Sequence, residues 1–60
     1  MMNYSIGDMA RITKSGKMNG KVGCVVEAIP GKIYGKDATV YFVQTERLKV
    51  PCFAEEMERA

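Results

Sequence analysis

Between positions 14 and 23 the chain reads KSGKMNGKVG, three glycines and three lysines in ten residues. Before it, residues 9–14 (MARITK) place Ala10 and Ile12 on one side and Arg11 and Thr13 on the other. That two-residue period marks a half-buried strand. After it, residues 21–29 (KVGCVVEAI) are rich in valine, which favours strands, and the Gly, Ser and Asn between the two runs favour a turn. Two strands joined by so short a loop run antiparallel. Gly23, inside the second run, predicts a bulge or a sharp bend where the strand curls to serve two faces.

The same reading extends along the chain. Ile6-Gly7-Asp8 forms a turn that launches the first strand. Pro30-Gly31 ends the second, and residues 31–37 (GKIYGKD) form a hairpin loop or arm. Residues 38–43 (ATVYFV) make a third strand, with Ala38, Val40 and Phe42 on one face and Thr39, Tyr41 and Val43 on the other. A fourth strand runs over residues 47–50 with Leu48 and Val50 inward, and Pro51 stops it. The tail FAEEMER fits a 3₁₀ turn at residues 54–56 followed by a closing strand at 57–59, or else one helical turn packed through Phe53 and Met57. Four to five short strands with glycine-rich turns predict an all-β fold, a small, strongly bent antiparallel barrel. Closure would limit exposed strand edges.

Sixty residues make one domain, residues 1–60. A chain of this size buries roughly 60% of its unfolded surface, so the core is thin and stability is only a few kcal/mol without a staple or a partner. The hydrophobic fraction of 47% is that of a folded protein. Charge is divided unevenly. Residues 1–36 carry six basic and two acidic side chains, net +4, and residues 37–60 carry three basic and five acidic ones, net −2.

Cys24 and Cys52 form no CxxC pair and the chain has no histidine, so no metal or other cofactor is expected. Cys24, in an apolar run, reads as a small core residue and Cys52, after Pro51, as partly exposed, and a disulfide between them is geometrically open but not readable from the sequence. The start MMNYSIGDMA lacks the basic and apolar stretches of a signal peptide. No run is long enough to span a bilayer. A cytoplasmic protein without a membrane partner is the expectation.

Two stretches are candidate binding elements. In residues 14–23, glycines let backbone amides approach a phosphate and Lys14, Lys17 and Lys21 add charge, extended by Arg11. Equally, the glycines supply backbone angles that a turn demands and the lysines keep it solvated. The stretch lacks the GK[ST] ending of a nucleotide-binding loop. In Lys32-Ile33-Tyr34-Gly35-Lys36, an aromatic and an aliphatic side chain between lysines combine stacking with charge, as single-stranded nucleic acid binding requires. Tyrosine is also favoured at protein interfaces, and equally Ile33 and Tyr34 fit a role covering the open end of the barrel. Arg11 and Arg47 either extend a basic face or pair with Glu27 and Glu46. Glu55, Glu56 and Glu58 have no nucleophile, histidine or metal-ligand set beside them, so catalysis is not expected.

The pattern Gly7-Asp8-x-Ala10-Arg11-Ile12, then Gly16-x-x-x-Gly20-x-x-Gly23-x-Val25-Val26, resembles the KOW motif and its SH3-like relatives. The ending ATVYF…LKVP…AEEMER is similar to the last strands of SH3-like barrels. The resemblance covers most of the chain and implies an SH3-like barrel. It also implies a binding role, since KOW domains of NusG-type elongation factors and ribosomal proteins meet RNA, polymerase or ribosome. The photosystem I E subunit is similar more loosely, and there the barrel docks proteins. The small plasmid-encoded dihydrofolate reductase shares the Gly-Asp opening, but Ala38-Thr39-Val40-Tyr41 stands where its Val-Gln-Ile-Tyr strand would be. The expected function is therefore a non-catalytic adaptor on a nucleoprotein machine, touching RNA or DNA through Arg11, Lys14, Lys17, Lys21, Lys32, Ile33, Tyr34 and Lys36. The alternative is a protein-docking subunit of a larger complex or homo-oligomer.

Overall fold

The computed structural model describes residues 4–60. Five antiparallel strands form one sheet: β1 (Met9–Ile12), β2 (Val22–Ile33), β3 (Lys36–Gln44), β4 (Lys49–Phe53) and β5 (Met57–Arg59). A 3₁₀ turn over Ala54–Glu56 joins the last two, and Phe53 N–H donates to the Glu56 carboxylate at 2.9 Å to hold its start. The strand order is β4-β3-β2-β1-β5, so β4 and β5 are the two edges and the 3₁₀ turn links them. The all-β class, the 3₁₀ turn at 54–56 and the closing strand at 57–59 are as the sequence predicts.

The sheet folds around one face. Alternate residues of every strand meet there: Ala10 and Ile12, Val25, Tyr41 and Val43, Val50 and Cys52, and Met57, all buried. Tyr4, ahead of the first strand, joins them. Its ring packs edge-on against Tyr41 at 5.4 Å between centroids, and its hydroxyl donates to the Met57 carbonyl at 3.2 Å. That bond lets a phenol be buried without stranding its polar end. Nothing in the sequence pattern singles out Tyr4, because it precedes the first periodic run.

Several expectations need correction. β2 does not end at Pro30-Gly31 but continues to Ile33, with Pro30 opposite Thr39. β4 is not stopped by Pro51, which sits in mid-strand opposite Phe42. Leu48 points out, 57% exposed, and the inward residues are Val50 and Cys52. Gly23 is not the bulge. The register shift falls between Val25 and Glu27, while Gly23 is needed for close approach, since a Cβ there would lie 2.3 Å from the Gln44 carbonyl oxygen.

The cysteines exchange roles as well. Cys52 is buried and Cys24 is only partly so, and both are free thiols. Cys24 alternates with the inward Gly23 and Val25 and so faces outward, whereas Cys52 faces the core. They lie on β2 and β4 with β3 between and are offset by three residues of register, two strand spacings apart at the least and beyond disulfide reach.

Candidate binding arm

The loop between β1 and β2 is closed by its own hydrogen bonds. Asn19 N–H donates to the Gly16 carbonyl, Gly20 N–H to Ile12 and Lys21 N–H to Met18, at 3.2, 2.7 and 3.1 Å. The Asn19 side-chain amide adds bonds to the carbonyls of Thr13 and Lys14. Gly16 and Gly20 have φ of 125° and 88°, which side chains disfavour. Met18 packs against the core. The amides of Asn19, Gly20 and Lys21 are thus already donated within the turn.

Two of the basic groups around this loop are engaged. The Arg11 guanidinium pairs with Glu58 at 3.0 Å, and Lys14 Nζ donates to the Pro51 carbonyl at 2.7 Å. Glu27 pairs with Lys49 at 3.9 Å rather than with an arginine. Lys17 and Lys21 are exposed and make no ion pair among the described residues.

The second stretch forms a projecting arm. β1 is in register with β2 only at residues 22–24, and β4 reaches β3 only as far as Val40 opposite Phe53. Beyond those points β2 and β3 continue as a two-stranded ribbon, pairing Pro30 with Thr39, Gly31 with Ala38, Lys32 with Asp37 and Ile33 with Lys36. Its tip is a two-residue turn, Tyr34-Gly35, with φ of 51° and 79°. Two successive positive φ values define the hairpin turn whose twist matches the strands, a turn that prefers Asn-Gly. Here the first position is tyrosine, and it is fully exposed.

The expected site residues therefore fall into two groups. Arg11, Lys14, Lys17 and Lys21 lie near one end of the twelve-residue β2, and Lys32, Ile33, Tyr34 and Lys36 at the other. They do not form one basic surface. Within the second group, Lys32 and Lys36 are exposed and form no ion pair among the described residues, and Ile33 is 44% exposed.

Beside the arm runs a groove of about 560 Å³. Asp37, Thr39 and Tyr41 form one wall and Phe53, Ala54 and Glu55 the other, with Ile33, Tyr34 and Lys36 at the tip end. It exists because the chain leaves the line of β4 at Phe53 to enter the 3₁₀ turn. No sequence signal pointed to Phe53 or Glu55 as neighbours of the arm.

At the opposite end of the core, Ser5 to Asp8 form a turn with Gly7 at φ 101°, and Asp8 N–H donates to the Ser5 carbonyl at 3.0 Å. The Asp8 carboxylate accepts from Ser5 N–H at 2.9 Å and from Arg59 at 3.1 Å. These bonds, the Ser5 amide first and the Arg59 guanidinium second, hold its pKa below the ordinary aspartate value. Burial pushes the Cys52 thiol up, with Lys14 opposing and Glu56 adding to the shift.

Among the described residues no three His, Cys, Asp or Glu side chains are grouped to hold a metal, and no helix is long and apolar enough to cross a membrane. Comparison with protein-family models, with curated proteins and with solved structures found no match.

Proposed function

We propose that this chain is a non-catalytic binding module, an SH3-like barrel of the KOW-like type, whose β2–β3 arm contacts single-stranded RNA or DNA. The strand order β4-β3-β2-β1-β5 with its 3₁₀ turn supports the fold reading. The observation that carries the function is Tyr34. A bulky residue at positive φ is strained, and such strain persists where a site requires it. The ring is completely exposed at the end of a ribbon, with the exposed Lys32 and Lys36 on either side in sequence. A base can stack on the ring while the ammonium groups meet flanking phosphates.

The test is fluorescence anisotropy with a labelled oligouridylate, repeated as salt is raised. Two phosphate contacts on a single strand predict a slope of log K against log salt of about −1.4. Tyr34→Ala should weaken binding by about 1–3 kcal/mol, the worth of one stacked base. Lys17→Glu, at the far end of β2, should change it little. Absence of binding at low salt, or binding indifferent to Tyr34, would remove the proposal.

A further inference from the structure

We infer that the free edge of β3 along the arm is a docking site for an extended peptide strand of a protein partner, added in line with β4. This goes beyond nucleic-acid contact at the tip and does not depend on it. The inference starts from the parity of the ladder. A two-residue hairpin turn closes on a pair that exchanges both backbone hydrogen bonds, here Ile33 with Lys36. Bonded and non-bonded pairs alternate from there, so Lys36, Ala38 and Val40 turn their N–H and C=O toward β2. Asp37, Thr39 and Tyr41 turn theirs the other way, toward the β4 side.

Both prolines agree with this parity. Pro30, opposite Thr39, falls at a non-bonded position where the ladder needs no N–H from it. Pro51, opposite Phe42, does too, and its carbonyl points off the sheet, where Lys14 reaches it. Tyr41 uses its outward groups on Cys52, but no β4 residue is in register with Thr39 or Asp37. The arm thus has two edges of unlike character. On the β2 side Pro30 has no N–H to offer, which blunts that edge. On the β3 side both Asp37 and Thr39 present an N–H and a C=O, whereas on the β2 side only Lys32 does.

The groove lies along this second edge. A strand laid in it would continue the path that β4 abandons at Phe53, with Phe53, Ala54 and Glu55 as its far wall. The backbone edge calls for another backbone, as in strand addition generally, and the walls set the side chains. Asp37 and Glu55 bring two carboxylates to the groove, neither in an ion pair among the described residues, against one ammonium, Lys36. Phe53 and Tyr41 supply apolar surface. The occupant is an extended segment that alternates apolar with basic residues.

The probe is a short blocked peptide of alternating valine and arginine, titrated into ¹⁵N-labelled protein. Saturable amide shifts at residues 36–39 and 53–55 are expected. The same peptide N-methylated at alternate residues, which keeps its charge but loses its backbone donors, should bind about tenfold more weakly. Asp37→Pro removes the outward N–H together with one of the two carboxylates, without touching the β2–β3 bonds, and should weaken binding about tenfold more than Asp37→Asn, which removes the charge alone. Glu55→Lys, outside the arm, should weaken it as well, so the site stays testable if Asp37→Pro disorders the ribbon. Equal binding of the N-methylated peptide, or shifts spread over Glu27, Glu46 and Glu58, would overturn the inference in favour of unspecific charge attraction. Shifts at 36–39 that grow with protein concentration in the absence of peptide would overturn it in favour of a second copy of this chain.

Discussion

A methyl group on Gly23 would stand 2.3 Å from the Gln44 carbonyl oxygen, 2.7 Å from its carbon and 2.9 Å from a Val43 methyl. Two of these three are backbone atoms, so relief requires that β2 and β3 part where they cross most tightly. Overpacking of this kind costs about 1–3 kcal/mol when side chains can yield, and more when backbone must. Gly23→Ala should therefore lower the melting temperature by more than about 15 °C in a thermal melt followed by circular dichroism. The need for glycine at this position was legible in the sequence, but its cause was not, because the obstructing carbonyl lies twenty-one residues away. Asp8 makes the opposite case, where a local turn and a distant arginine act on one carboxylate. Its depressed pKa means that the folded state holds the charged form more firmly than the unfolded chain does. That contribution is complete above the unfolded aspartate pKa and is lost as pH falls through the lower, folded value. Asp8→Asn should lower the melting temperature at neutral pH, and its difference from the parent should close as melts are repeated into the acid range.

At the scale of elements, the arm sets a local preference against the proposed use. Its turn has left-handed backbone at Tyr34 and Gly35, and the first of these positions prefers asparagine. Tyr34→Asn should stabilise the domain by about 0.5–1 kcal/mol, read as a rise in denaturation midpoint without change in slope. It should also abolish the stacking contribution to oligonucleotide binding, separating the two roles of one residue. The full lengths of β2 and β4 are not legible in the sequence, because Pro30 and Pro51 look like strand ends until the parity of the ladder is known. A proline ends a strand only where the ladder needs its N–H. Once Tyr34-Gly35 is known to be the turn, counting back in twos places Pro30 on the outward parity, and the same count across β3 does so for Pro51. The hairpin was legible, but the parity was not, since the stretch from 31 to 37 did not reveal which two residues turn. The two lysine groups stand at opposite ends of β2, with ten residues between Lys21 and Lys32.

For the whole molecule, the question is how firmly one small core closes the sheet, and the two thiols measure it from opposite faces. The largest fully buried side chains are Ile12, Met57, Val25, Val43 and Cys52, so Cys52 belongs to the set whose exposure requires the core to open. Cys24, on the outer face of β2, is partly exposed in the folded state. A maleimide or disulfide reagent should therefore modify Cys24 at nearly the rate of a model thiol. Cys52 should lag by a factor equal to the opening equilibrium, about 10²–10³ for the few kcal/mol that a domain of this size supplies. The raised Cys52 pKa adds a sign. The folded state holds the neutral thiol, so its stability is whole below the unfolded thiol pKa and declines as pH rises above it toward the folded value. Protection of Cys52 should shrink as labelling is carried from neutral to alkaline pH, after correction for thiolate fraction, and Cys52→Ser should remove the alkaline decline in stability. A lag much smaller than the global unfolding equilibrium measured by denaturation would mean that β4 detaches from the core without global unfolding, and the lag would then report the edge strand alone.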